Sequence, residues 1–253
     1  MLSSAGKEKG VGRSLDTRSS VFLRNVMDLL ERTEYRRCET GEDLEAIFRL
    51  RYRSYRLHGF VAESAQGLTR DEMDDAPNAY NFGVFIDSQL VATVRLHQID
   101  RDSPFGPVMK AFGDVMKPRI MRGATCINAS MFAADPDLTS EFRALPYVAM
   151  RLVVVAYAHY NSTYCAGLIR QEHTAFYRRV FGAHQSGPPR AYPPISIPLM
   201  LYEAECAKQF GRTVARFPFF RSTKSEQRLL FDKDGDVPAL TVLPTAKYSA
   251  IAA

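Results

Sequence analysis

The chain has 253 residues, 46% of them hydrophobic and 24% charged, with a formal net charge of +5 and a pI near 9.0. That length buries a sizeable core in one or two domains, and no run of five like charges or basic–aromatic interleaving favours nucleic acid. The mild basicity fits either a solvated surface or an acidic partner such as anionic lipid or an acidic carrier protein.

In chain order, residues 1–16 lack the apolar core of a signal peptide and, being rich in Ser, Gly and Lys, read as a disordered arm. Periodicity predicts an amphipathic helix over 17–33, a short strand over 35–39 and a helix over 40–59. Thr40 and Asp43 form a capping-box pattern at the start of that helix, and Gly59 supplies its left-handed stop. A polar loop over 61–78 follows, then two apolar runs, 80–86 and 90–98, joined as a hairpin. Gly and Pro break up 103–119 around a short amphipathic piece. Cys126–Ala134 is a strand, and Pro146 opens an apolar helix over 147–160. A strand over 163–169, a short helix over 173–181 ending at Gly182, and a strand over 195–203 interrupted by Pro198 complete the pattern. Asp232 to Asp236 reads as a turn rather than a calcium loop, because its glycine is misplaced and no acid stands at the twelfth position. The longest apolar run, 152–158, is too short to span a bilayer. Cys38, Cys126, Cys165 and Cys206 lack zinc spacing and read as buried small apolar residues in a reducing cytoplasm, with no metal site. The order implies an α/β fold, a single mainly antiparallel central sheet flanked by helices.

One residue breaks the pattern. On the 40–59 helix, Leu44, Ile47, Phe48 and Tyr55 share a stripe about 100° wide, and Arg51 projects from its middle. Arg49, Arg53 and Arg56 face the other way, as solvated charges do. An inward guanidinium needs acidic partners. Asp71 and Asp74 follow, then a second arginine, Arg95, inside an apolar strand. This set is either an ion network pinning a loop to a helix or a polar site. Asn128 and Ser130 share one face of their strand, which is either solvated or directed at a reacting group.

The spacing Arg51-x-x-x-Tyr55, Asp71-x-x-Asp74, Val91-x-x-x-Arg95-Leu96 resembles the acyl-homoserine-lactone synthases, which have the GNAT (acyl-CoA N-acyltransferase) fold. Asn128-Ala129-Ser130-Met131-Phe132-Ala133-Ala134 is similar to their E-x-S-R-F-a-v strand, and the whole pattern is more similar to the related N-acyl amino acid synthases. HTAFYRRVFG is similar to the GNAT helix after the fifth strand. The glutamate and arginine of the lactone-synthase strand are replaced by Asn128 and Met131, and the chain has no tryptophan.

The resemblance implies a GNAT-like domain over 17–210, followed by an extension over 211–253. It implies transfer of a long-chain acyl group from the phosphopantetheine of acyl carrier protein to the α-amine of an amino acid, with no bound cofactor. Arg51, Tyr55, Asp71, Asp74 and Arg95 would bind substrate, Asn128 and Ser130 would meet the oxyanion or the amine, and Tyr177 would serve the leaving thiolate. Glu172 or His173 would be base or helix cap, and Arg49, Arg53 and Arg56 would face the carrier. Between the Cys126 strand and the next helix the chain has three acids and no glycine, a poor cradle for a coenzyme A pyrophosphate. The alternatives are a lactone synthase using S-adenosylmethionine and a non-catalytic GNAT-like protein that binds acyl carrier protein or lipid. Peripheral membrane contact through the lipid product is compatible with all of these.

Overall fold

The computed structural model describes residues 11–233 and 241–248, with side chains from Val21 onward. The elements are α1 (Val11–Glu31), β1 (Thr33–Arg37), α2 (Gly41–Leu57), β2 (Ala79–Ile86), β3 (Gln89–Ile99), α3 (Pro107–Ala111), α4 (Gly113–Met121), β4 (Cys126–Ala134), α5 (Leu145–Tyr160), β5 (Tyr164–Ile169), α6 (Thr174–Phe181), β6 (His184–Gln185), β7 (Arg190–Tyr192), β8 (Ile195–Glu205), α7 (Cys206–Arg216), α8 (Lys224–Phe231) and β9 (Thr241–Val242). The sheet order is β6-β8-β5-β4-β3-β2-β1-β9, with β7 paired to β8.

Local chemistry explains the main turns. Asp87 (φ 50°) and Ser88 (φ 66°) both adopt left-handed conformations, so β2 and β3 join through a two-residue turn whose twist suits an antiparallel pair. Gly59 (φ 69°) stops α2, with Gly59 N–H donating to Arg56 O at 3.0 Å and Phe60 N–H to Tyr55 O at 2.9 Å. All recorded strand pairs are antiparallel except β4 with β5, which are joined by α5, the long crossover a parallel pair needs. Strand alternation divides the core. Ile127 joins the cluster around α5, whereas Cys126 joins Val108, Met116 and Ile120 of α3 and α4.

Several expectations are corrected. Residues 1–10 of the expected disordered arm lie outside the described residues, but 11–16 belong to α1. The Thr40–Asp43 capping box does not form: Thr40 precedes α2 without a side-chain cap hydrogen bond. The 61–78 loop contains a single 3₁₀ turn, Glu72–Asp75, and 107–121 forms two helices instead of one piece. Residues 234–236 of the expected Asp232 turn lie outside the described residues.

Residues 217–231 enter the same core as the sheet: Phe217, Phe219, Phe220, Leu230 and Phe231 are buried in it. Among them lies a second inward arginine pair. Arg151 of α5 and Glu226 of α8 are each 0% exposed and ion-paired. Arg151 Nε also donates to Phe219 O at 2.8 Å, and Glu226 Oε2 accepts from Thr245 N–H at 2.9 Å. Removing one member leaves the other buried and charged, so Arg151→Met should destabilise the protein by about 3–5 kcal/mol. Replacing both by apolar residues should recover most of that loss. Urea unfolding of the two variants checks it, and equal losses would mean that the pair is not the tie.

Candidate active site

The site begins with a break in register. Arg95 lies opposite Ser130 and Thr93 opposite Ala133, so β4 advances three residues where β3 advances two. Met131 takes up the extra residue in a left-handed conformation (φ 50°). Tyr55 of α2 holds the bulge, its hydroxyl donating to Phe132 O at 3.0 Å. Past Ala129–Gly167 the β4–β5 pairing ends, while β5 continues along β8 to Ile169. The two strands therefore splay. A cavity of about 320 Å³ fills the opening, lined by Ser130, Met131 and Phe132 of β4, Ile169 and Arg170 at the end of β5, and Tyr55, Tyr177 and Tyr192. Ala129, Met150, Ile169 and Tyr177 also line a second, apolar chamber between the sheet and α5, α6 and α7, with Val153, Val154 and Phe210 in its wall.

Behind the wall lies the ion network. Arg51 and Arg95 are 0% exposed. Arg51 donates to Asp74 Oδ1 at 2.7 Å and to Asn81 Oδ1 at 2.8 Å. Arg95 reaches Asp71 Oδ1 at 2.5 Å, Asp71 Oδ2 at 3.2 Å and Asp74 Oδ2 at 2.8 Å. The aspartates also organise their own turn: Asp71 Oδ1 accepts from Met73 N–H at 2.9 Å and Asp74 Oδ2 from Asp71 N–H at 3.0 Å. Burial pushes Asp74 up, but Arg51 and Arg95 outweigh it and hold its pKa below the usual carboxylate range.

Two hydroxyls carry this network to the cavity. Arg95 Nε donates to Ser130 Oγ at 3.1 Å, which leaves the Ser130 O–H free to donate. Tyr192 O–H donates to Asp71 Oδ2 at 2.8 Å. Tyr177, in the wall of both chambers, has among the described residues only the weak thioether acceptor Met150 Sδ at 3.8 Å. Burial raises its pKa, so the phenol stays protonated and can donate to a developing anion. Tyr55 is likewise pushed up to about 12 by burial.

The structure therefore brings Tyr55, Ser130 and Tyr177 to the cavity. It places Arg51, Asp71, Asp74 and Arg95 together behind the wall, where each carboxylate oxygen already has a partner. An ammonium finds no vacant carboxylate there. Asn128 is not at the cavity either. Its Nδ2 donates to Ala129 O and Ala166 O at 3.1 and 3.2 Å, and its Oδ1 accepts from Val108 N–H at 3.1 Å, clamping β4 to β5 and α3. Arg49, Arg53 and Arg56 are exposed, and each has one acidic neighbour, Glu45, Asp135 and Glu63. His173 lines the cavity, whereas Glu172 is exposed and does not. Tyr192, His58 and Arg170 also line the cavity and were not anticipated. Tyr192 and His58 stand in turn-like sequence, and Arg170 looks like an ordinary charge at a strand end.

A mixed sheet opened at its one recorded parallel pair, with the cleft adjoining an apolar chamber, defines an acyltransferase of the GNAT fold. The family model described as N-acyl amino acid synthase FeeM matches residues 46–205, and the chain belongs to that family. The solved structure of FeeM, an N-acyl amino acid synthase from uncultured soil microbes, is similar with a TM-score of 0.60 and 18% identity, over 73% of this chain and 97% of that one. TofI, solved in a ternary complex with an inhibitor and MTA, gives 0.53 and 16% over 74% and 96%. The AHL synthase LasI gives 0.50 and 17% over 73% and 93%. No curated protein matches the chain.

Two predictions test the network. Arg51→Met leaves Asp71 and Asp74 with one arginine between them. Asp74→Asn in the same background should restore part of the lost stability, with non-additivity of about 0.5–3 kcal/mol in a double-mutant cycle on urea unfolding. Simple additivity would place the partner of Arg51 elsewhere.

The second concerns His97, buried beside the network, with Nε2–H donating to Met73 O at 2.9 Å and Nδ1 without a partner among the described residues. Burial, then Arg95, lower its pKa to about 3. The folded state therefore binds fewer protons than the unfolded state below the ordinary histidine pKa. Its contribution is intact above about pH 6.5 and falls with pH, by at most about 1.4 kcal/mol per unit. His97→Gln should flatten the stability slope between about pH 6 and pH 4.5, as read from urea midpoints. An unchanged slope would rule His97 out as its source.

Proposed function

We propose that the protein transfers a long-chain acyl group from acyl carrier protein to the α-amine of an amino acid. The observation that supports this reading is that the cleft and the apolar chamber adjoin, with Ala129, Met150, Ile169 and Tyr177 in the walls of both. An acyl chain seated in the chamber sets its thioester carbonyl at the junction, between the Ser130 hydroxyl and the Tyr177 phenol. The ammonium of the acceptor first gives a proton to solvent water. Its nitrogen then attacks the carbonyl, the C–N bond forms, and the Ser130 O–H donates to the oxyanion. As the oxyanion collapses and the C–S bond breaks, the Tyr177 phenol gives its proton to the departing thiolate and takes up the surplus proton of the attacking nitrogen, leaving an amide and a free thiol. Among the described residues lining the cavity there is no cysteine, and Ser130 has an arginine rather than a base beside it, which supports direct transfer.

The start of α5 supports the choice of donor. A pyrophosphate needs free backbone N–H groups at a helix N-terminus. Here Leu145 N–H donates to Phe142 O at 2.9 Å, Tyr147 and Val148 N–H both donate to Ala144 O, and Pro146 has no N–H. The preceding segment adds Asp135, Asp137 and Glu141. A carrier protein holds its pantetheine phosphate on its own surface and needs none of these groups. Arg49, Arg53 and Arg56 offer it positive charge on the outer face of α2, shared with their acidic neighbours.

With matched acyl chains, turnover should therefore be at least tenfold faster from acyl carrier protein than from the coenzyme A thioester. Mass spectrometry should detect N-acyl amino acids as the product. Equal use of both donors would remove the carrier protein from the reading, and acyl lactones in place of N-acyl amino acids would replace the acceptor.

A further inference from the structure

Among the described residues that line the cleft, Arg170 is the one permanently charged side chain; no aspartate, glutamate or lysine accompanies it. It is half-buried, and no ion pair is recorded for it, whereas the buried arginines Arg51, Arg95 and Arg151 are all matched to carboxylates. Its guanidinium lies 4.2 Å over the Phe60 ring, which fixes its plane and leaves its edge donors for other groups. One of them contacts His173 Nε2. A guanidinium can only donate, so that nitrogen accepts and the imidazole is neutral. Burial, then Arg170, lower the His173 pKa, in agreement.

Resting on the N-acyltransferase reading above, we propose that Arg170 is the anchor for the carboxylate of the acceptor amino acid. Arg170 directly follows Ile169, which lines both chambers, so it stands beside the junction where the amine must attack. In an α-amino acid a single carbon separates nitrogen from carboxylate, so both ends are served at once. The phosphate of the donor is separated from the thioester by the whole pantetheine arm and cannot occupy the same place while the thioester is at Ser130. The two aspartates behind the wall hold their own arginines, so recognition of the acceptor falls to its negative end. Arg170 thus selects amino acids over simple amines. An arriving carboxylate also takes up the Arg170 donors and releases His173 Nε2 towards the cleft.

Equilibrium binding of a product-like probe tests this without turnover. N-lauroylglycine should bind the wild-type protein at least tenfold more tightly than N-lauroylglycinamide, and Arg170→Gln should abolish the difference. In turnover, Arg170→Gln should raise the acceptor KM at least thirtyfold with kcat changed less than threefold, and Arg170→Lys should recover part of it. Selectivity for an amino acid over its decarboxylated amine should fall by a similar factor. Equal binding of acid and amide by the wild-type protein overturns the proposal whether or not either variant folds. So does a raised KM for the thioester donor with an unchanged acceptor KM. If the acid is preferred but no N-acyl amino acid forms, the anion site stands and the proposed reaction fails.

Discussion

The cleft depends on one buried arrangement of charge: two guanidiniums facing two carboxylates behind β4. Arg51 comes from the helix on one side of the sheet, Arg95 from a central strand, and the aspartates from a single 3₁₀ turn. Three elements distant in sequence are held at hydrogen-bond distances, and fork-shaped arginines meeting carboxylate edges tolerate little displacement. The outputs are Ser130 and Tyr192, which turn polar atoms into the cleft while the charges stay dry. Arg95 meets the cleft through the Ser130 hydroxyl. Such an arrangement contributes little net stability for its charge, since desolvation offsets attraction. What it provides is a defined placement of the bulged strand.

The bulge and the splay form the second layer of the design. An extra residue at Met131 turns β4 away from β5, and Tyr55 holds the displaced backbone from across the cleft. Because the opening occurs at a parallel pair joined by a long helix, no hairpin has to be broken to make it. The apolar side chains of α5, α6 and α7 then enclose the inner chamber. The candidate site lies where regular pairing stops.

Much of this was legible in the sequence. Arg51 could be placed inward because helical periodicity is strict, and its need for an acid followed from the expense of a bare buried charge. The hairpin, the Cys126–Ala134 strand and the apolar helix after Pro146 carry strong local signals, and the structure has all three. The roles of the site residues were less legible, because periodicity reports which face a side chain takes but not how its atoms are used. Asp71 and Asp74 look the same in sequence whether they hold a ligand or an arginine. Asn128 and Ser130 alternate together, yet the first clamps strands and the second reaches the cavity, because the bulge begins just after Ser130. Tyr192 belongs to a three-residue strand, too short for any pattern. Residues 217–231 lack periodicity because their aromatics pack from 3₁₀ and short helical turns.

Arg51, Arg95 and Arg151 are fully buried, and Asp71, Asp74 and Glu226 face them, so three positive charges meet three negative ones in the interior. The two sides of that balance respond differently to acid. Carboxylates take up protons and become neutral, but a guanidinium has no proton it can lose at any ordinary pH. Strong acid therefore converts these two balanced clusters into ones that confine three like charges without their counter-charges. A protein whose buried bases were lysines could relieve this by deprotonating; this one can only open. Added salt, which screens surface charge, reaches such buried pairs poorly.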